Sequence, residues 1–247
     1  MLRRTLIALA AAAFATAAQA QPAPAPTPAP TPAPAPPAKP NPRVKIETPQ
    51  GAIVVELFAD KAPITVANYL KYVDRGLFNG ATFYRASRPP GYTAADYGLI
   101  QGGLQNDPKK VLPPIAHEST IKTGLTHKTE GTISMGRHAP GTAQSDWSIT
   151  LGDMSYLDAD PKNPKTNPGF AAFGQVVEGL DVVKKIIVLP TDPNRGEGAM
   201  KGEMLKQPVR ITRVSRVAAT PAPPPPATTP AAATTAPATP AASPPPK

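Results

Sequence analysis

The sequence predicts a mainly β domain: a closed, eight-stranded antiparallel barrel capped by two helices. About eight short runs rich in β-branched and aromatic residues follow one another between turn residues, and only two segments show helical periodicity. Strands that succeed one another directly, without a helix after each, favour an antiparallel sheet over a doubly wound one. Closing such a sheet into a barrel removes its unpaired edges.

The first elements are predicted to be a hairpin followed by a helix. The runs K-I-E-T-P and A-I-V-V-E-L-F flank a P-Q-G turn. Apolar residues then recur at i, i+3, i+4 and i+7 from Val66 to Val73, which predicts an amphipathic helix over 62–75. Asp60 is expected to cap its N-terminus, and Gly76 follows its end.

Six more strands and one helix complete the predicted domain. The strands are T-F-Y-R-A, Y-G-L-I-Q-G, G-T-I-S-M-G, W-S-I-T-L, F-A-A-F-G-Q-V-V-E and V-R-I-T-R-V-S-R-V. The helix is predicted over 180–187, after Glu178 and Gly179. Residues 102–130 and 136–147 are long irregular segments, and loops of that length in a compact domain tend to carry function.

The two ends of the chain differ in composition from this block. Residues 1–20 carry two arginines, an apolar run and a small-x-small motif ending at Ala20, which indicate a cleaved secretory signal peptide and an exported, periplasmic protein. Residues 21–42 are predicted to be a Pro/Ala-rich linker and residues 218–247 a disordered Pro/Ala/Thr-rich tail, because such segments bury too little apolar surface to become ordered. The folded domain is therefore predicted over 43–217.

Composition excludes several classes of protein. The chain has no cysteine, so no disulfide or lipid anchor is available and the fold depends on its hydrophobic core. Arg3, Arg4, Lys39 and Lys247 are the basic residues outside the block, while every acidic residue lies inside it. The block is therefore only modestly basic, with scattered charges, and no nucleic-acid surface is predicted. The apolar run near the start is too short to span a bilayer, so we expect no stable membrane insertion, and we expect a monomer.

Three kinds of site can be tested against the sequence. His117, His127 and His138 lie too far apart for a zinc motif, and we expect them at the surface of loops or in hydrogen bonds. The acidic run from Asp158 lacks the Gly and Glu of a calcium loop. The segment G-T-I-S-M-G around Ser134 does not match the nucleophile elbow of a serine hydrolase. No metal or other cofactor is expected.

The order of motifs resembles the cyclophilin family of peptidyl-prolyl cis/trans isomerases. The similar segments are G-A-I-V-V-E-L-F, D-K-A-P-I-T-V-A-N-Y, G-A-T-F-Y-R, I-Q-G-G, G-T-I-S-M-G and F-G-Q-V-V-E-G-L-D-V-V, and they cover 44–217. The resemblance implies a capped barrel that speeds rotation about Xaa-Pro bonds without covalent chemistry. Its partners would be proline-containing segments of unfolded or exported proteins.

The resemblance also implies the residues of the site. Arg85, in the F-x-R motif, would donate to the prolyl nitrogen of the twisted amide, Phe83 would line the proline pocket, and Gln101 would bond near Arg85 and the substrate carbonyl. These three are the expected catalytic residues. The residues expected to bind the substrate are Met135, Gly136, Arg137, Asp146, Trp147, Tyr156, Leu157, Phe170 and Tyr97.

One segment departs from the family pattern. The family's S-Q-F-F reads S-D-W-S here, so that Ser148 replaces a pocket Phe and Asp146 replaces a peptide-binding Gln. We expect Trp147, Tyr97 or Phe170 to refill part of the pocket. The insertion between Arg85 and Gln101 is expected to fold Tyr92 or Tyr97 over the site.

Two functions remain open beside a third, weaker one. The first is an isomerase that assists folding of exported proteins, and the second is a proline-peptide-binding module or chaperone with weak or no turnover. In the third, the Pro-rich tails act and the barrel displays them. Arg85 together with Gln101 favours the enzyme, because a binder has no need of a donor at the prolyl nitrogen.

Overall fold

A computed structural model describes residues 40–218 of the chain. The predicted signal peptide lies outside these residues, as does nearly all of the predicted linker and tail. Within the described residues, ten strands pair antiparallel in one sheet. The strands are β1 Arg43–Thr48, β2 Gly51–Leu57, β3 Thr82–Ser87, β4 Gly98–Gly103, β5 Thr132–Met135, β6 Trp147–Leu151, β7 Ala172–Glu178, β8 Thr191–Asp192, β9 Met204–Arg210 and β10 Arg213–Val217. The helices are α1 Pro63–Asp74, α2 Thr120–Thr123 and α3 Leu180–Ile187.

The sheet closes on itself through one bent segment. Its hydrogen-bonded order is β10-β1-β2-β7-β5-β6-β4-β3-β9-β8. Strands β9 and β10 stand near opposite ends of this order, yet only Ile211 and Thr212 separate them in the chain. Ile211 bonds to Ala81 beside β3, and Thr212 bonds to Glu47 of β1. Because β9 pairs with β3 and β10 pairs with β1, the bend between β9 and β10 closes the ring of strands.

The predicted mainly β, antiparallel, barrel-like architecture is confirmed. With β9 and β10 counted as one bent strand, eight strands make the ring, and the two-residue β8 is an addition on β9. The long capping helices α1 and α3 lie within one residue of their predicted ends. The short α2, inside the predicted loop over 102–130, is an element that the sequence did not predict.

Helix α1 is capped by a residue distant in sequence. Its first residue is Pro63, which has no N–H to satisfy. The next two N–H groups, of Ile64 and Thr65, donate to the carboxylate of Glu118 at 3.2 and 2.8 Å, and the Thr65 hydroxyl donates to it at 2.7 Å. The expectation that Asp60 caps this helix is wrong, since Asp60 is exposed and no side chain of the adjacent turn caps the helix.

Alternation along the strands sends one face to the barrel interior. Val44, Ile46, Ile53 and Val55 are completely buried there, with the apolar face of α3 packed over one end. The largest buried rings belong to Trp147, Tyr69, Tyr72, Phe78, Phe83 and Phe173. This core fills the barrel, so a ligand site must lie outside it. No helix of residues 40–218 is long and apolar enough to cross a bilayer.

Candidate functional site

A cavity of about 1040 Å³ lies on the outer face of β3, β4 and β6. Ser87 of β3, Leu99 and Gln101 of β4, and Ser148 of β6 line it by strand alternation, and Arg85 of β3 lines it as well. Further lining residues lie in β3, β5 and β9 and in the segments that follow β4, β5, β6 and β8. They are Tyr84, Gln105, Asn106, Met135, Gly136, Arg137, His138, Thr142, Asp146, Tyr156, Leu157, Phe170, Glu197, Ala199, Met200, Glu203 and Met204.

A β-bulge turns Arg85 from the core to the cavity. Strict alternation would give Phe83 and Arg85 the same face, and Phe83 is fully buried in the barrel. The register of β3 shifts between these residues against β4, where Phe83 pairs with Gly102 and Arg85 with Gln101, so that Tyr84 is the extra residue. Such a bulge re-aims the side chains beside it. Tyr84 and Arg85 both line the cavity as a result.

The guanidinium of Arg85 is held by Gln101 of β4 and by Glu203, the residue just before β9. Gln101 lies directly across from it on β4, and its amide oxygen accepts from Nη1 at 2.8 Å. On the other side, the Glu203 carboxylate accepts from Nε at 2.7 Å and approaches Nη2 at 2.6 Å. Arg85 is only 17% exposed at its side chain, so these bonds act with little solvent screening.

The two glycines after Gln101 allow close packing behind the site. A Cβ on Gly102 would lie 2.9 Å from the Phe83 ring, and a Cβ on Gly103 would lie 2.6 Å from the carbonyl oxygen of Ser145. Gly103 also has a φ of +135°, which side-chain-bearing residues rarely adopt. The Q-G-G motif thus lets β4 lie close to the segment that carries Asp146.

Asp146 is fixed inside the wall of the cavity. Its two carboxylate oxygens accept from the Tyr84 hydroxyl at 2.9 Å and from the backbone N–H groups of Gln105 and Asn106 at 2.9 and 3.1 Å. Burial, with the Asp146 charge adding to it, raises the pKa of Tyr84 well above its usual value, so the phenol stays a donor. Asp146 therefore shapes the loop after β4.

The opposite wall of the cavity is mainly apolar, and Arg137 lies at its edge. Met135 and Leu157 line the cavity, and Phe170 lies beneath Arg137, whose guanidinium carbon is 4.7 Å from the ring centroid. Arg137 also donates from Nε and Nη2 to the carbonyl oxygen of Gly169. Burial lowers the pKa of Arg137 from its ordinary value. The wall can hold an apolar ring, with a cation at its rim.

The structure brings most of the predicted site residues together. Those that line the cavity are Arg85, Gln101, Met135, Gly136, Arg137, Asp146, Tyr156, Leu157 and Phe170. The predictions for Phe83 and Trp147 are wrong as to place. Both are completely buried and stack edge to face in the core at 5.2 Å. Trp147 alternates with Ile149 and Leu151 in W-S-I-T-L, a pattern that points to the core face.

The tyrosines of the insertion do not cover the site. Tyr92 and Tyr97 pack against each other with ring centroids 6.4 Å apart, and the Tyr92 hydroxyl donates to Asp96. Neither ring lines the cavity, so the predicted cover over the site is not observed and Tyr97 lies outside the cavity lining. The aromatic that Ser148 replaces is therefore not supplied from this loop.

A wall that the sequence did not predict comes from 197–204. Ala199, Met200 and Met204 contribute apolar surface there, and Glu203 contributes its carboxylate. Met204 lies opposite Arg85 in the ladder between β3 and β9, which fixes the position of this wall. No local motif marks these residues, because only the pairing of strands far apart in the chain brings them to Arg85.

A second polar cluster lies behind the cavity. His127 is fully buried, and its Nδ1 donates to Asp158 at 2.6 Å while its Nε2 accepts from the Ser134 hydroxyl at 2.8 Å. Burial lowers the pKa of His127, and its bond to Asp158 opposes that shift. The cluster links Ser134 of β5 to Asp158 in the segment that follows β6. Ser134 is only 1% exposed, so a substrate cannot reach it. Of the two expected roles, loop surface or hydrogen bonding, His127 has the second.

Known proteins resemble the described domain in sequence. The family model for cyclophilin type peptidyl-prolyl cis-trans isomerase/CLD matches residues 43–216. A peptidyl-prolyl cis-trans isomerase of Acinetobacter baylyi is 35% identical over 175 residues, which are 69% of this chain and 83% of that protein. Peptidyl-prolyl cis-trans isomerase B of Escherichia coli K12 is 33% identical over 173 residues, which are 70% of this chain and 98% of that protein.

The backbone also resembles a solved structure. A crystal structure of a cyclophilin type peptidyl-prolyl cis-trans isomerase from Cryptosporidium parvum aligns with a TM-score of 0.57, covering 72% of this chain and 98% of that chain. The sequence identity is 19%, so this likeness concerns the fold. The same protein in the presence of the dipeptide Ala-Pro aligns with a TM-score of 0.56.

Proposed function

This chain belongs to the cyclophilin-type peptidyl-prolyl cis-trans isomerases, and we propose that it assists the folding of exported proteins, with Arg85 stabilising the twisted Xaa-Pro amide. The isomerase activity follows from the family. The residue roles, the substrate population and the location are the proposed part.

The reaction requires electrostatic stabilisation and no bond chemistry. Resonance in the C–N bond sets a barrier of about 18–20 kcal/mol, so uncatalysed rotation about Xaa-Pro takes tens to hundreds of seconds. In the twisted transition state the prolyl nitrogen carries a localised lone pair, and a donor aimed at that nitrogen favours the transition state over both planar isomers.

The orientation of Arg85 carries the proposal. Three of its N–H groups are engaged by Glu203 and Gln101, and its guanidinium lines the cavity beside apolar walls. A guanidinium has five N–H groups, so donors remain for a prolyl nitrogen. Leu99, Met135 and Leu157 offer the apolar surface on which a proline ring would pack.

The activity should depend on Arg85. Exchange between the cis and trans forms of an Xaa-Pro peptide, measured by NMR with the full chain, should be fast for wild type and slower by about 10²–10³-fold for Arg85→Ala, the usual effect of removing one transition-state donor. Arg216→Ala is the matched control, because Arg216 pairs with Asp74 at an exposed position outside the cavity. Equal rates for Arg85→Ala and wild type would exclude the proposed role of Arg85.

A proline-peptide-binding module is the second candidate. Two observations favour it: Ser148 supplies a small hydroxyl where the family pattern has a pocket Phe, and Asp146 is occupied by bonds within the protein. The same experiment separates the two functions. A wild-type protein that binds the peptide but leaves the exchange rate unchanged would be a binder.

The proposed location rests on residues 1–20 of the sequence. A charged start, an apolar run and a small-x-small motif ending at Ala20 support cleavage and export to the periplasm. The expected result is a mature form that begins near Gln21 and is recovered from the periplasmic fraction as a monomer. An unprocessed chain in the cytoplasm would refute the location and leave the activity untouched.

A further inference from the structure

The carboxylate of Glu203 has a defined place beside Arg85. It occupies the Nε and Nη2 edge of the guanidinium, with Nε donating at 2.7 Å and Nη2 lying at 2.6 Å from the same carboxylate oxygen. Its other oxygen accepts from the Ser87 hydroxyl at 2.7 Å, and its backbone carbonyl accepts from the N–H of Ala86 at 2.9 Å. Glu203 is thus fixed to β3 at Arg85 and at the two residues that follow it.

We propose that Glu203 is a positioning residue for Arg85, which holds the guanidinium in the plane and at the distance required by the twisted prolyl amide. This inference rests on the proposed function of Arg85. Glu203 itself does not touch the reacting atoms and acts through Arg85.

Two effects of the carboxylate oppose each other. Its negative charge reduces the positive potential that Arg85 presents to the prolyl nitrogen, which would slow the reaction. Its bonds also hold the end of a long side chain in one orientation, so that little rotamer entropy remains to be lost when Arg85 meets the substrate. Displacing a catalytic group by about 1 Å can cost about 10²-fold in rate. We expect the gain from fixed orientation to exceed the loss from the lowered positive potential. The N–H groups of Arg85 that Glu203 does not bind can still donate to the prolyl nitrogen while the ion pair with Glu203 is formed.

Gln101 alone would not fix the orientation of Arg85. Gln101 holds Arg85 at Nη1 alone, through one neutral acceptor at 2.8 Å. One such bond leaves the guanidinium free to swing about it. The pair with Glu203 adds contacts at two further nitrogens, from the residue just before β9 rather than from β4.

The chain offers a matched ion pair for comparison. Arg43 donates to Glu56 from Nε at 2.8 Å and from Nη2 at 2.7 Å, and the side chains are 19% and 23% exposed. The Arg85–Glu203 side chains are 17% and 23% exposed. Arg43 and Glu56 do not line the catalytic cavity. Glu56→Gln therefore removes an ion pair of similar geometry and burial without touching the site.

The test measures kcat and KM for an Xaa-Pro peptide with the full chain. Glu203→Ala should lower kcat by about 10–100-fold with KM changed by less than about 3-fold, since the lost interaction serves the transition state. Glu203→Gln keeps one acceptor and should lose less than about 10-fold. Glu56→Gln should remain within about 2-fold of wild type. A Glu203→Ala protein that is as fast as wild type, or faster, overturns the proposal.

Coupling to Arg85 is the second readout. In the Arg85→Ala background, Glu203→Ala should have no further effect on kcat, because the residue it positions is gone. A further loss of the same size in that background would show an independent role and overturn the proposal. If wild type itself gives no acceleration, the proposed function fails. If wild type is active and Arg85→Ala is not, a neutral Glu203→Ala defeats only the positioning role.

If Glu203→Ala does not fold, hydrogen exchange of the Arg85 side chain, measured by NMR, tests whether Glu203 fixes the guanidinium. The Nε–H signal of Arg85 should be protected from hydrogen exchange in wild type, and Glu203→Gln should speed its exchange by at least about 10-fold while that of Arg43 stays unchanged. Rapid exchange of the Arg85 signal in wild type would mean that Glu203 does not fix the guanidinium, and it would refute the inference.

Discussion

Replacing Glu118 by alanine should lower the free energy of unfolding by about 3 kcal/mol, because two buried bonds at the start of α1 lose their charged acceptor. Glu118 is only 3% exposed, and Thr65, which donates to it from both N–H and hydroxyl, is completely buried. The N-cap residue of α1 is Ala62, whose side chain cannot accept these hydrogen bonds in place of the carboxylate.

The magnitude follows from the three bonds taken in turn. Hydrogen bonds to a charged group contribute about 1.5–3 kcal/mol each, and the two from Thr65 account for about 3 kcal/mol at the lower value. The third, from the Ile64 N–H, is longer at 3.2 Å and belongs to a residue that is 41% exposed. Water can satisfy that group in the variant, so it adds little. Glu118→Gln keeps one oxygen acceptor and should cost about 1–2 kcal/mol, mainly the lost charge at the helix N-terminus.

Urea denaturation and thermal melting of the full chain test this prediction. For a domain of this size, about 3 kcal/mol corresponds to a fall in Tm of about 6–12 °C. Asp60→Ala is the control, since Asp60 is exposed and does not cap the helix; it should change stability by less than about 0.5 kcal/mol. The reasoning is refuted if Asp60→Ala destabilises as much as Glu118→Ala, or if Glu118→Ala melts with wild type.

Two further predictions concern pH and the pocket. Burial lowers the pKa of His127 in the folded protein, so this residue takes up a proton more readily in the unfolded chain. Its contribution to the free energy of unfolding should therefore be fully present above about pH 6.5, the ordinary pKa of histidine, and should be lost as the pH falls toward the lower pKa of the folded state. Melting curves from pH 7 to pH 5 should show this loss, and a slope that persists unchanged in His127→Gln would contradict it. Ser148→Phe should lower KM for a proline peptide by about 5–30-fold, because the ring adds apolar contact worth about 1–2 kcal/mol at the cavity face. An unchanged or higher KM would show that proline does not bind beside Ser148.

The sequence was most informative where the determining contacts are local. The periodicity from Leu180 to Ile187 and the turn before Gly51 depend on neighbours in the chain, and both elements have the predicted form. The motifs that carry Arg85 and Gln101 are local as well, since each lies in a recognisable strand, and the structure pairs these residues directly across β3 and β4.

Other features depend on residues brought together only by folding. Glu118 lies over fifty positions from the helix that it caps, and Glu203 lies over a hundred from Arg85, so no local pattern could predict either contact. The bulge at Tyr84 is equally hidden, because it appears only as a register shift of β3 against β4. Trp147 is a different case: the resemblance implies a place in the pocket, whereas the residue alternates with Ser148 and lies on the core face with Ile149.

The bend at Ile211 and Thr212 has a consequence for the order of folding. Strand β1 is the first described strand to leave the ribosome, and it pairs with β10, the last. Local hairpins such as β1–β2 can form early, whereas this pairing closes a loop that spans almost the whole domain. Until residues 204–217 are available, β1 and β3 each keep an open edge that can recruit strands from other chains. A chain shortened before residue 204 should therefore aggregate, even though it still contains Arg85 and Gln101.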